Sequence, residues 1–222
     1  MRFIVFSAMT IALSTTAVAA PAVRPQLASE PLFSASQLAD VRPSGSAQDF
    51  ALYEAVQSLI ERYGITGISY TDNTVRKDLM ITAGEAKVVL ISAYERLALL
   101  ANASVESEVS KATNDDDSKI ISRFKVATDR ALNPAGSCQL LVGTKFAAKP
   151  KKGKAKAQAN SATVTWNQAL ACLPGANVMP LNPEAYNLKA ALPAAAITRG
   201  EFLHKLNEAA DNSVNELSMA AS

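Results

Sequence analysis

The chain carries one histidine, His204, and two cysteines, Cys138 and Cys172. That inventory is too thin for a zinc centre, which draws three or four ligands from His, Cys and carboxylates. Aromatic residues make up only 6% of the chain, and the formal net charge is +2. No field of one sign therefore selects a nucleic acid as partner. There is no Gly-rich phosphate loop, no nucleophile elbow and no His-Glu-x-x-His pair. Asp115-Asp116-Asp117 lacks the spaced ligands and closing Glu of a calcium loop and reads as a helix cap. The expectation is a protein that is not an enzyme and needs no metal or cofactor.

What is present favours helices. Alanine is abundant, and apolar residues recur at helical spacing in several windows. Residues 1–19 combine a short basic start, a mostly apolar run and the small-residue site Ala17-Val18-Ala19, as in a secretory signal peptide. Beyond it no run approaches the roughly 20 apolar residues of a spanning helix, so no membrane-spanning segment is expected in the mature chain. Residues 20–35, rich in Pro, Ala and Ser, read as a flexible lead-in. In an exported chain Cys138 and Cys172 form either one disulfide or two buried thiols, and spacing does not decide between them.

The motif Ile-Thr-x-Gly-Glu occurs twice, as Ile81-Thr82-Ala83-Gly84-Glu85 and as Ile197-Thr198-Arg199-Gly200-Glu201. Thr82 with Glu85 and Thr198 with Glu201 have the spacing of capping boxes, so each copy opens a helix. The first helix runs to about Ala112, with Val89, Leu90, Ala93 and Leu97 among its apolar positions. Upstream, Asp49 is the candidate N-cap of a helix over 50–63 that ends at Gly64. Leu52, Ala55, Val56, Leu59 and Ile60 form its apolar face. A further helix through Leu132 contains Ile120, Phe124 and Ala127, and 140–142 is a short strand or a buried helical turn. Lys145, Lys149, Lys151, Lys152, Lys154 and Lys156 make a basic low-complexity segment, read as a solvated linker or as an attachment to an anionic polymer or lipid surface. Trp166, Ala169, Leu170 and Leu173 form the first apolar face of the second half, and Pro174-Gly175 ends that run.

These motifs resemble the S-layer homology family, whose unit is a helix, a loop and a second helix opened by Ile-Thr-Arg-x-Glu. Ser34-Ala35-Ser36-Gln37-Leu38-Ala39-Asp40-Val41 and Leu59-Ile60-Glu61-Arg62-Tyr63-Gly64 are similar to the N-terminal unit of cyanobacterial outer-membrane porins. The resemblance implies a mainly α fold of two helix–loop–helix units, over 36–112 and 161–222, joined by a helical middle segment (113–144) and a basic flexible linker (145–160). It implies an exported protein of the periplasm or cell envelope. Its expected partner is peptidoglycan or a secondary cell-wall polysaccharide, held non-covalently. The alternative is a scaffold that keeps the fold and binds protein instead.

By the same resemblance the glycan-binding residues are Arg199, which matches the motif Arg, and Asp72, which matches the loop Asp. Arg76 and Trp166 are added as a further cation and an aromatic platform. A guanidinium presents a planar fork of donors suited to a carboxylated sugar. Read from the residues alone, Arg199 is either that cation or a solvated arginine in a first helical turn. Trp166 is more often core than platform. Ala83 stands where the family has Arg, Asn73 where it has Gly, and the segment 178–191 carries no Asp-Gly-Thr. The family often assembles three units, so two imply either self-association or a degenerate third unit within 106–141.

Overall fold

The computed structural model describes residues 26–28, 32, 34–111, 117–134, 138–146, 158–175 and 194–221. The expected signal peptide, most of the lead-in, most of the basic segment and residues 176–193 lie outside the described residues. The fold is mainly helical. Helix α1 spans Ala47–Gln57 and runs into a wide turn at Ser58–Arg62. Helix α2 spans Ala83–Lys111, α3 Asp117–Leu132, α4 Trp166–Leu170 and α5 Arg199–Ala221.

Local chemistry explains most of these boundaries. The N-cap of α1 is Ser46, not Asp49: the Ser46 hydroxyl accepts from the Asp49 amide, and the Asp49 carboxylate accepts from the Ser46 amide. Asp49 is therefore the third residue of a box, and the helix starts one turn earlier than expected. Its end is as expected. Gly64 adopts φ +65, and the amide of Ile65 donates to Leu59 O, closing the turn in the left-handed conformation that glycine tolerates best. The segment 140–142 is a turn within the core, with Leu140 and Leu141 buried.

The two copies of the repeat meet at the centre of the molecule, and a third chain passage joins them. The amide of Ile81 donates to Ile197 O (3.1 Å), that of Ile197 to Val164 O (2.9 Å), and that of Val164 to Ile81 O (3.0 Å). The circuit is closed and has pseudo-threefold symmetry. A second circuit surrounds it, with Ala83 N donating to Ala162 O, Trp166 N to Ala195 O and Arg199 N to Leu79 O. Isolated bridges Met80–Thr198, Thr82–Thr163 and Thr165–Ala196 complete the pattern. Ile81, Val164 and Ile197 are almost wholly buried at its centre.

The third passage reads Val164-Thr165-Trp166-Asn167-Gln168, and Thr165 with Gln168 forms a capping box. It is a third copy of the motif in which every residue but the threonine is replaced. Trp166 takes the place in the circuits that Ala83 and Arg199 take at the starts of α2 and α5, and α4 is short, with Pro174-Gly175 close behind its end.

The circuits solve a general problem, because the first amides of any helix lack intrahelical acceptors. Here the neighbouring passage supplies them. Gly84 N donates to Asn160 O and Gly200 N to Lys77 O, both at 2.9 Å. This close approach accounts for the glycine of the motif. A Cβ on Gly200 would lie 3.1 Å from Lys77 O, and one on Gly84 would lie 3.2 Å from Asn160 O. Gly200→Ala is therefore expected to forfeit the gain of about 1 kcal/mol that Gly to Ala brings in an open helix. The urea unfolding midpoint of this variant should be at or below that of the parent, and a clear rise would refute the close-approach account.

One core cluster gathers residues from the 34–41 turn, α1, α2, the circuits and α5. A smaller one, Ala101, Ala127, Ala131 and Leu217, joins the far ends of α2, α3 and α5. The sulfur atoms of Cys138 and Cys172 are bonded, which decides between the two readings of these cysteines. By length and composition α2 could cross a membrane, although no uninterrupted apolar run marks it in the sequence. Its inward face, including Ala86, Val89, Leu90, Ala93, Tyr94 and Leu97, is packed in the core.

Candidate functional site

Each circuit position that follows a threonine cap faces inward: Ala83, Trp166 and Arg199 are all buried. Only one of these three corners carries a cation. Arg199, 1% exposed, is among the largest fully buried side chains described. Its Nε donates to Val75 O (2.7 Å) and its Nη2 to Ile68 O (2.8 Å), so the guanidinium fork grips both ends of one loop. Its Cζ sits 4.6 Å from the centre of the Tyr70 ring. Nη1 forms an ion pair with Glu85 Oε2 at 3.5 Å and meets no well-aligned hydrogen-bond acceptor among the described residues.

Neither reading of Arg199 from the sequence anticipated this placement. It is not a solvated first-turn arginine, and it is not a cation displayed to a ligand. A guanidinium near a helix N-terminus opposes the macrodipole, but two backbone carbonyls, an aromatic face and Glu85 surround this one. Burial, the largest influence, still pulls its pKa down.

Glu85 links the cap to the loop. Its Oε2 accepts from the amide of Thr82 (2.9 Å) and its Oε1 from the hydroxyl of Tyr70 (2.5 Å). Burial pushes the Glu85 pKa up, but the Thr82 amide, the Tyr70 hydroxyl and Arg199 together outweigh it and leave the pKa lowered. Burial likewise raises Tyr70 to about 12, with the bond to Glu85 adding to the effect, so its hydroxyl stays a donor. A carboxylate with a lowered folded pKa contributes stability that is present above its ordinary value of 4.5 and lost as pH falls through the folded value. Unfolding free energy should therefore drop below about pH 4.5. Glu85→Gln should flatten that drop in urea titrations run at several pH values, and an unchanged slope would contradict the assignment.

The loop held by Arg199 is also tied to residues that precede α1: Ala28 N donates to Ser69 O, Thr71 N to Gln26 O and Ala39 N to Asn73 O. Asp72 accepts from the Thr74 amide and hydroxyl and pairs with Arg76 Nη2 at 2.8 Å. The Thr74 hydroxyl, then Arg76, hold the Asp72 carboxyl at about 2. Asp40 accepts from the amides of Val75 (2.7 Å) and Arg76 (2.6 Å). Asn73 and Arg76 both have positive φ, +56 and +55. Asn tolerates this region, whereas for Arg it is a strained conformation that its surroundings must enforce. Arg76 also lies over the Tyr70 ring at 4.8 Å. Tyr70 thus carries two guanidinium groups, one buried and one half-exposed. Thr71, Asp72 and Asn73 are exposed beside them.

Of the four expected ligand residues, the structure gathers Arg199, Asp72 and Arg76 around one loop. Trp166 opens a different helix, at the pseudo-threefold-related corner, and is 6% exposed within the core. Thr82, Glu85, Thr198 and Glu201 all sit in capping boxes as expected. Tyr70 and Asp40 are not among the residues expected at the site. Asp40 belongs to the 34–41 motif, but the amides it caps lie 35 and 36 residues away, so its role has no local mark. Tyr70 stands two residues before Asp72, and that proximity is the available signal.

Comparisons with protein-family models, curated proteins and solved structures return no match.

Proposed function

We propose that this chain is an exported cell-envelope module that binds peptidoglycan or its linked polysaccharide non-covalently, through the face formed by Asp72 and Arg76. The observation that carries this reading is the closed circuit of three Thr-capped helix starts. It unites the two evident copies of the motif with a degenerate third inside one chain. That is the three-unit arrangement implied by the resemblance to S-layer homology units. On this reading α3 is the first helix of the middle unit and α4 its shortened second helix.

The binding chemistry belongs to one corner. Ala83 supplies no charge, and Trp166 supplies no exposed ring. At the remaining corner the half-exposed Arg76 keeps guanidinium donors at the surface, paired with the exposed Asp72 above the buried Tyr70 ring. That pairing suits a carboxylated or hydroxyl-rich sugar.

The test is co-sedimentation of the mature protein with purified cell-wall sacculi. Arg76→Gly is the informative variant, since glycine accepts φ +55 without strain while removing the cation. Sedimentation should fall several-fold with no loss of thermal stability. Undiminished sedimentation would remove Arg76 from the interface, and a parent protein that stays in the supernatant at low salt would sink the reading.

A protein-binding scaffold is the second reading. Two of the four expected glycan residues, Arg199 and Trp166, have almost no accessible surface, which favours it. Under that reading Arg76→Gly leaves envelope localisation intact and changes which proteins co-purify.

A further inference from the structure

We propose that Arg199 is a positioning residue: from the start of α5 it clamps the 68–75 loop so that Asp72 and Arg76 face the ligand, and it does not touch the ligand itself. This inference rests on the binding face proposed above, but the clamp is defined by geometry independent of any ligand.

The loop is exposed only at 71–73, while Ile68 on one side and Val75 on the other are almost fully buried. Arg199 donates to the carbonyls of these two residues, with 2.7 and 2.8 Å bonds from two different nitrogens. Arginine can do this because its donors are fixed in one plane, whereas lysine offers a single point of charge. Asp40 holds the returning chain through the amides of Val75 and Arg76. The return of the loop is thus held through its amides by the first unit and through a carbonyl by α5.

Between the two anchors the backbone bends through the positive φ of Asn73, and Arg76 adopts another just past Val75. A chain released from its anchors would leave such a conformation, because a non-glycine residue there stores strain. The exposed products of that conformation are the Asp72–Arg76 pair and the placement of Arg76 over Tyr70. Tyr70 is itself fixed by its hydroxyl on Glu85 and by the guanidinium of Arg199 over its ring. The clamp therefore acts on both residues of the binding face and on the ring between them, while its own guanidinium stays 1% exposed.

The experiment compares the parent, Arg199→Lys and Arg76→Gly by amide hydrogen exchange and by sacculus sedimentation. Arg199→Lys keeps the charge and removes the fork, which avoids the unfolding risk of alanine. In this variant amides 68–76 should exchange at least about tenfold faster, while those of 89–97 in α2 change little. Sedimentation should fall in step. Arg76→Gly should lose sedimentation with exchange in 68–75 unchanged. Lost sedimentation with unchanged loop exchange in Arg199→Lys would mean that Arg199 contacts the ligand, which overturns the proposal. Unchanged exchange and unchanged sedimentation would show that there is no clamp. Acceleration spread equally through α2 would also count against it, because Arg199 would then support the whole core. If the parent does not sediment, the binding reading fails, and the exchange comparison still decides the clamp.

Discussion

Arg199→Ala is expected to destabilise the protein by about 3–5 kcal/mol, the range for removing one partner from a buried charged network. The variant loses two short charge-assisted bonds to backbone carbonyls and the contact with the Tyr70 ring. It also leaves Val75 O and Ile68 O without that donor and Glu85 without its nearby cation. Urea unfolding followed by far-UV circular dichroism measures the effect. A loss below about 1 kcal/mol would place Arg199 with exposed ion pairs, whose worth is of that size, and would contradict the buried network. The outcome matters for function as well. A residue of the ligand surface can be removed at little cost in stability, whereas a buried residue that ties α5 to the 68–75 loop cannot.

Removing the Cys138–Cys172 disulfide by a double alanine substitution is expected to cost about 3–4 kcal/mol on the chain-entropy model for a loop of this length. The bond closes 34 residues of separation. Cys138 follows α3, and Cys172 lies between α4 and Pro174-Gly175. The bond also fixes the Cys172 carbonyl that accepts from the Tyr94 hydroxyl inside the core. The segment between the cysteines also places Leu140, Leu141, Val164, Trp166 and Ala169 in the core, so the bond adds to burial already present there. The shift in thermal midpoint between the parent and the double variant checks this. An unchanged midpoint would mean that the circuits and core hold the middle segment without the bond.

Much of the helical structure was legible because its causes are local. Thr82 with Glu85 and Thr198 with Glu201 announce helix starts through a three-residue spacing, and Gly64 announces an end through backbone freedom. Asp49 was misjudged by one turn because Ser46 and Asp49 can both cap, and only the geometry shows which accepts from which. The third motif stayed hidden for a related reason. Val164, Thr165 and Gln168 preserve the capping chemistry and the buried apolar position but not the letters Ile, Gly and Glu. A search for the chemical pattern, an apolar residue followed by a cap and its partner, would have found it.

The candidate site was less legible. The sequence placed Arg199 and Asp72 in matching motifs but could not say which of them reaches solvent. Arg199 is separated from Ile68 by 131 residues and from Val75 by 124, so its bonding partners leave no local trace. The glycine of the motif shows the same limit. Its position is plain in the sequence, but its reason is the carbonyl of a distant passage, Asn160 or Lys77.

By itself the sequence determined where α2 and α5 begin, because a cap needs only its own first turn. It determined which helix faces turn inward, because periodicity is a property of neighbouring residues. The tertiary structure alone decided that three motifs close a ring, that two distant cysteines meet, and that Arg199 is buried while Arg76 stays at the surface. Those outcomes depend on which chain passages lie side by side, and that is set by packing the whole core at once.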